Sequence, residues 1–177
     1  LANAKAGDYM IMECGYNDAN YSSEAKMATA LEEIADDCEK AGITLILSTP
    51  NFGAARGDTN KADVKFGPKI LEVAKEKGVL GVNLSGLGYA DYTASGSNKE
   101  YWSKNFNVYF GGAQQDDLHL SYFGAMKNAS LVAQAIYDAQ NDTENAKLAE
   151  TLKGLKINTQ AYQMKDSEGQ TVTLQVK

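Results

Sequence analysis

Two hydrophobic periods alternate along this 177-residue chain. Three short, nearly continuous apolar runs read as buried parallel strands: Asp8 to Gly15, Ile43 to Pro50, and Val79 to Leu84. Between and after them come stretches of helical period. Residues 22–41 place Met27, Leu31, Ile34 and Cys38 on one stripe; residues 62–77 do the same with Ile70, Val73 and Ala74. A third stretch, from about Ser121 to Gln140, aligns Met126, Ala129, Ala133 and Ile136. Ser22 or Ser23 can cap the first helix, Gly42 and Gly78 can close the first two, and Pro50 stops the second strand. Strand–helix alternation of this kind predicts an α/β fold, a parallel sheet with right-handed crossovers.

The remaining segments break the pattern. Leu1 to Ala6 reads as the last turn of a helix with Gly7 as its C′ residue, and 51–60 as a polar loop. Residues 85–115 form a Gly/Ser/Tyr/Asn-rich excursion with a short helical piece near Lys99–Lys104. Beyond Asn141, Thr143–Leu155 suits a polar surface helix, and Tyr162–Val176 alternates around Asp166-Ser167-Glu168-Gly169 as a β-hairpin does. The organisation expected is a domain over 1–140 with an extension over 141–177.

Composition narrows the function classes. With 17 basic and 23 acidic residues the net charge is −6, and no Lys/Arg cluster offsets it, which disfavours nucleic acid. No apolar run approaches the ~20 residues of a membrane span. The chain opens Leu1-Ala2-Asn3-Ala4-Lys5 without a Met or an apolar signal core, so we expect the native N-terminus to lie upstream. Two cysteines are too few for a disulfide framework. Cys38 lies on a helical stripe and Cys14 ends a strand, and buried free thiols are expected at both. Cys14 as a nucleophile is the alternative, weighed against Glu13, whose charge raises a neighbouring thiol pKa.

Candidate chemistry gathers where parallel strands end. Ligands bind beyond the carboxyl ends of such strands. Gly15-Tyr16-Asn17-Asp18 lies just past strand one, and Asp116-Asp117-Leu118-His119 lies ahead of the last helix. His119 is the only histidine. An aspartate three residues away in a tight turn can fix its tautomer and leave the other ring nitrogen free as a base. An asparagine amide at a strand end can donate to a developing oxyanion. Each piece has a plainer use: Asn17-Asp18 can cap a turn, and a lone histidine can be an ordinary surface or core residue. Arg56, after strand two, could meet a sugar carboxylate or remain a solvated loop residue. Tyr101 and Trp102 could form a sugar-stacking wall or a cap on the core.

Taken together, these motifs resemble the SGNH (GDSL-type) hydrolase family, nearest to carbohydrate esterases such as rhamnogalacturonan acetylesterases. Gly15-x-Asn17-Asp18 resembles its third block and Asp116-x-x-His119 its fifth, and Leu47-Ser48-Thr49-Pro50 resembles the usual second half of the fold. The likeness runs from residue 1 to about 140. It implies a three-layer α/β/α flavodoxin-like parallel sheet of strand order 2-1-3-4-5, whose first strands are missing here. It implies His119 as general base, Asp116 as its orienting partner and Asn17 as an oxyanion donor, with Gly15 and Asp18 beside the substrate. The implied reaction hydrolyses small acyl esters or acetylated carbohydrate through an acyl-serine, without metal or other cofactor. Tyr16 stands where carbohydrate-esterase relatives often carry His. The Gly-Asp-Ser nucleophile block and the second block are absent and are expected upstream. The nearest string, Lys165-Asp166-Ser167, sits in the predicted hairpin turn.

Alone, the chain is therefore expected to be nearly inactive, with strand one as an apolar edge that invites self-association. Two other readings stay open: a non-catalytic carbohydrate-binding or assembly module on the same fold, and a flavodoxin-like binding domain with a chance Asp-x-x-His.

Overall fold

A computed structural model describes residues 3–53, 61–110 and 114–177, with the backbone alone for 61–64, 107–110 and 114–118. The fold is mixed α/β. In chain order the elements are β1 (Tyr9–Glu13), α1 (Asp18–Tyr21), α2 (Glu24–Ala41), β2 (Thr44–Ser48), α3 (Lys61–Lys77), β3 (Leu80–Val82), α4 (Leu84–Ala94), α5 (Lys99–Phe106), β4 (Asn107–Phe110), β5 (Gln114–Leu120), α6 (Tyr122–Gln140), α7 (Ala146–Leu152), β6 (Tyr162–Lys165) and β7 (Thr171–Leu174).

The chain divides into two compact units whose segments interleave: 1–50, 61–83 and 135–156 form one, and 51–60, 84–134 and 157–177 the other. The first unit holds the three predicted parallel strands, in the order β1-β2-β3. Their register pairs Ile11 with Ile46 and Ser48 with Val82. Among the described residues β1 pairs with β2 alone, so it forms an edge, and Ile11 on it is 50% exposed. Leu45 and Leu47 from β2 pack with Leu31, Cys38, Phe66, Ile70 and Val73 from the flanking helices. Burial on this scale is what makes these amphipathic segments stable as helices. Ser23 accepts from the Lys26 amide at the start of α2, and Gly42, in the left-handed region at φ 70°, closes it.

The second unit is built on aromatic rings. Phe52, Trp102, Phe106, Phe123, Met164 and Leu174 form its core. β6 and β7 make the predicted antiparallel hairpin, with Met164 opposite Val172. The Asp166 carboxylate organises its turn by accepting from the Glu168 and Gln170 amides. Asp166 also accepts from the Tyr101 hydroxyl at 3.0 Å, and burial with this carboxylate pushes the Tyr101 phenol up to about 12. Ser167 donates its amide to the Asn105 side chain at 2.7 Å. Asp166-Ser167 thus forms a hairpin turn, with none of the strand-to-helix geometry of a nucleophile elbow.

Three local expectations are corrected. Residues 3–8 form a turn rather than a helix end, closed by a 3.0 Å bond from the Asp8 amide to the Lys5 carbonyl. The excursion contains a further helix, α4, whose glycines hide it in the sequence pattern. At Gly88 the reason for glycine is close packing, since a Cβ there would come within 2.7 Å of Phe52. Asp116 and His119 lie within β5 rather than in a tight turn, because β5 pairs antiparallel with β4 on either side of them, at Gln115 and at Leu120, with an irregular register between. Among the described residues no helix is long and apolar enough to cross a membrane.

Candidate active site

The parallel register brings the ends of β1, β2 and β3 to one edge. Glu13 pairs with Ser48 and Ser48 with Val82, so residues 14–18, 49–50 and 83 all follow carboxyl ends. This is the ligand edge of an open parallel sheet. Ser48 and Thr49 there are buried, at 1% and 0% exposure, and donate their hydroxyls to neighbouring carbonyls. A separate cavity of about 340 Å³, lined by Cys38, Ile43, Leu45, Lys75, Lys77 and Val79, opens at the opposite, amino ends of β2 and β3. None of the candidate residues lines it.

Gly15 turns the chain out of β1. Its φ is +102°, a conformation that residues with a side chain adopt only under strain, and a Cβ would come within 3.3 Å of Ile70. It is buried, so its contribution to a site is made through its backbone. Replacing it by alanine should lower stability by about 1–3 kcal/mol, measured by urea or thermal unfolding. An unchanged midpoint would mean that the loop relaxes without cost.

Beyond Gly15 the loop is held from α3. Lys65 donates to the Ala19 and Ser22 carbonyls at 2.9 and 2.8 Å, gripping the end of α1. Asn17 stands at the N-cap position of α1 yet makes no capping hydrogen bond with its side chain. Asn17 and Asp18 are both exposed. The capping explanation for Asn17 is thereby removed: its amide is displayed to solvent at the ligand edge.

Cys14 is half-buried, and its thiol is pushed up to about 11 by burial first, then by the charges of Asp18 and Glu13. At pH 8 only about one molecule in a thousand would carry the thiolate. Iodoacetamide should therefore label Cys14 far more slowly than a free thiol at that pH. Rapid labelling followed by mass spectrometry would reinstate the cysteine as a nucleophile.

The other sequence-derived candidates fall in the second unit or outside the described residues. His119 is exposed in β5. Asp116 lies in the same strand, and its side chain is outside the described atoms. Arg56 lies outside the described residues altogether. Trp102 does not offer a stacking face: it is 3% exposed, its ring stacks on Phe106 at 3.8 Å between centroids, and its indole donates to Ser95 at 3.0 Å. It is a core residue, placed there by the helical register of α5, which also buries Asn105 and Phe106. The exposed aromatics of this unit are elsewhere: Tyr122 at 67%, Tyr162 at 43% and Tyr89 at 41%. None of the three is marked by a motif in the sequence. Among the described residues no group of three His, Cys, Asp or Glu is placed to hold a metal ion.

No protein-family profile matches the chain. It is 27% identical over 143 residues to a Bacillus subtilis (strain 168) protein described as the uncharacterized esterase YxiM. That match covers 77% of this chain and 35% of YxiM. The crystal structure of the YxiM protein from Bacillus subtilis superposes with a TM-score of 0.60 at 24% identity, over 76% of this chain and 38% of that one. The chain thus shares its α/β fold with YxiM and spans little more than a third of that relative's length.

Proposed function

We propose that these residues form part of an ester hydrolase of the SGNH type, acting on small acyl esters and on acetylated carbohydrate. The observation that carries this reading is the similarity over most of the chain to a protein described as an esterase. Two structural facts support it: the uncapped Asn17 amide at the ligand edge, and the exposed His119. In this scheme His119 takes the proton of an attacking serine and returns it to the leaving alcohol, while the Asp116 carboxylate holds the imidazole in the required tautomer. That pairing needs the irregular register between Gln115 and Leu120, since a regular strand would turn residues three apart to opposite faces. The Asn17 amide donates to the oxyanion of the tetrahedral intermediate. Gly15 and Asp18 shape the floor beside it, and Arg56 is the candidate partner for an acidic sugar. The nucleophilic serine is assigned to polypeptide outside these 177 residues, and the sheet to the three-layer flavodoxin-like arrangement.

The test is turnover of p-nitrophenyl acetate by the full polypeptide that carries these residues, with a fluorophosphonate probe to trap the nucleophile. We expect turnover, and a label on a serine outside residues 1–177. The 177-residue chain alone should keep only residual catalysis. A full polypeptide without ester turnover would overturn the function. A label within 1–177, or robust turnover by the short chain, would overturn the placement of the nucleophile.

A further inference from the structure

The hydroxyls of Tyr122 and Tyr162 lie 2.8 Å apart, and both residues are substantially exposed. They come from segments 40 residues apart in the sequence. A phenol–phenol hydrogen bond in water adds little net stability, because both hydroxyls are equally well satisfied by solvent. It therefore gives no energetic reason to hold two large rings at the surface.

Both tyrosines are nonetheless held firmly, and by the same helix. The Ser121 amide donates to the Phe106 carbonyl at 2.8 Å, and the Ser121 hydroxyl donates to the Asn105 carbonyl while accepting from the Gly124 amide. The first turn of α6, which carries Tyr122, is thereby pinned to the end of α5. Gly124 makes this approach possible, since a Cβ there would come within 2.5 Å of the Phe106 carbonyl oxygen. On the hairpin, Tyr162 lies on the same face of β6 as buried Met164, and the Asn105 side chain grips the far turn through the Ser167 amide. Asn105, only 2% exposed, thus serves both segments, through its carbonyl on one side and its side chain on the other.

His119 is three residues before Tyr122, so the backbone limits their separation to about 11 Å. His119 is exposed as well. Rigid, exposed aromatic rings with polar tips match the chemistry of a pyranose, which presents C–H groups on its faces and hydroxyls around its rim. We propose that Tyr122 and Tyr162 form a sugar subsite beside His119. A ring of an acetylated carbohydrate stacks on Tyr122 and pairs its hydroxyls with the two phenols. This inference rests on the esterase reading for its choice of substrate, and it gives the C-terminal hairpin a part in specificity.

Binding can be measured on the 177-residue chain itself. We would titrate it with acetylated xylotriose and follow tyrosine ring resonances by NMR, with p-nitrophenyl acetate as the sugar-free comparison. Saturable shifts should appear at Tyr122 and Tyr162 with the sugar and be absent with p-nitrophenyl acetate. Tyr122→Ala should weaken binding by about fivefold to tenfold. Tyr162→Phe, which keeps the ring and cannot disturb the core, should weaken it by about twofold to threefold. Unshifted tyrosine resonances, or wild-type affinity in both variants, would overturn the subsite. Equal shifts with both ligands would also overturn it, as they would indicate a general apolar surface. The esterase reading fails separately, through the absence of ester turnover in the full polypeptide, which leaves the binding titration unaffected.

Discussion

His119→Ala should reduce kcat/KM for ester hydrolysis by at least about 10³-fold in the full polypeptide. General-base catalysis alone is worth 10²–10⁴-fold, and loss of the histidine from a serine–histidine pair also leaves the serine without activation. Stability should hardly change. The side chain is exposed in β5, so its removal opens no cavity. The pairing of these outcomes is the informative part. A large loss of activity with an unchanged unfolding midpoint assigns His119 to the chemistry. A fall in both would make it a structural residue of β5, and unchanged activity would remove it from the mechanism.

Asn17→Ala should lower kcat by about 10²–10³-fold while leaving KM nearly unchanged, as removal of one oxyanion donor does. The structure makes this an unusually clean substitution. An asparagine at an N-cap position normally stabilises its helix by about 1 kcal/mol, and that contribution would confound the result. Here the side chain makes no capping bond, so unfolding should shift by no more than a few tenths of a kcal/mol. Steady-state kinetics and thermal melts on one preparation would check both halves. If kcat is retained, the oxyanion is stabilised by other groups.

Much of the first unit was legible in the sequence because its elements obey simple periods. The strands β1 to β3 are short apolar runs with turn residues after them, and α2 and α3 carry regular stripes ended by Gly42 and Gly78. The hairpin β6–β7 was equally plain, since its alternation brackets a turn built on Asp166. The second unit was harder to see. α4 contains two glycines and has no clear polar face, so its helical state depends on packing, as the Gly88–Phe52 contact illustrates. Asp116–His119 lie in β5 between the residues that pair with β4, Gln115 and Leu120, and Gln114-Gln115-Asp116-Asp117 has no apolar alternation to announce a strand. Of the candidate site, the position of Gly15 to Asp18 just past β1 followed from strand-end reasoning. Trp102 did not follow, because burial of an aromatic depends on which face of α5 meets the core, and the two tyrosines are joined only by tertiary structure.

The interleaving of the two units bears on how the polypeptide is made. A chain released from the ribosome as far as residue 134 would lack 135–156 from the first unit and 157–177 from the second. The Tyr9 hydroxyl finds its acceptor, the Thr151 carbonyl, 142 residues later. Closing loops of that length comes late and slowly in folding. During synthesis β1 can pair with β2 as soon as residue 48 emerges, but neither unit is complete until residues 135–177 follow, and a part-finished unit is the kind of species that chaperones shield and that aggregation exploits.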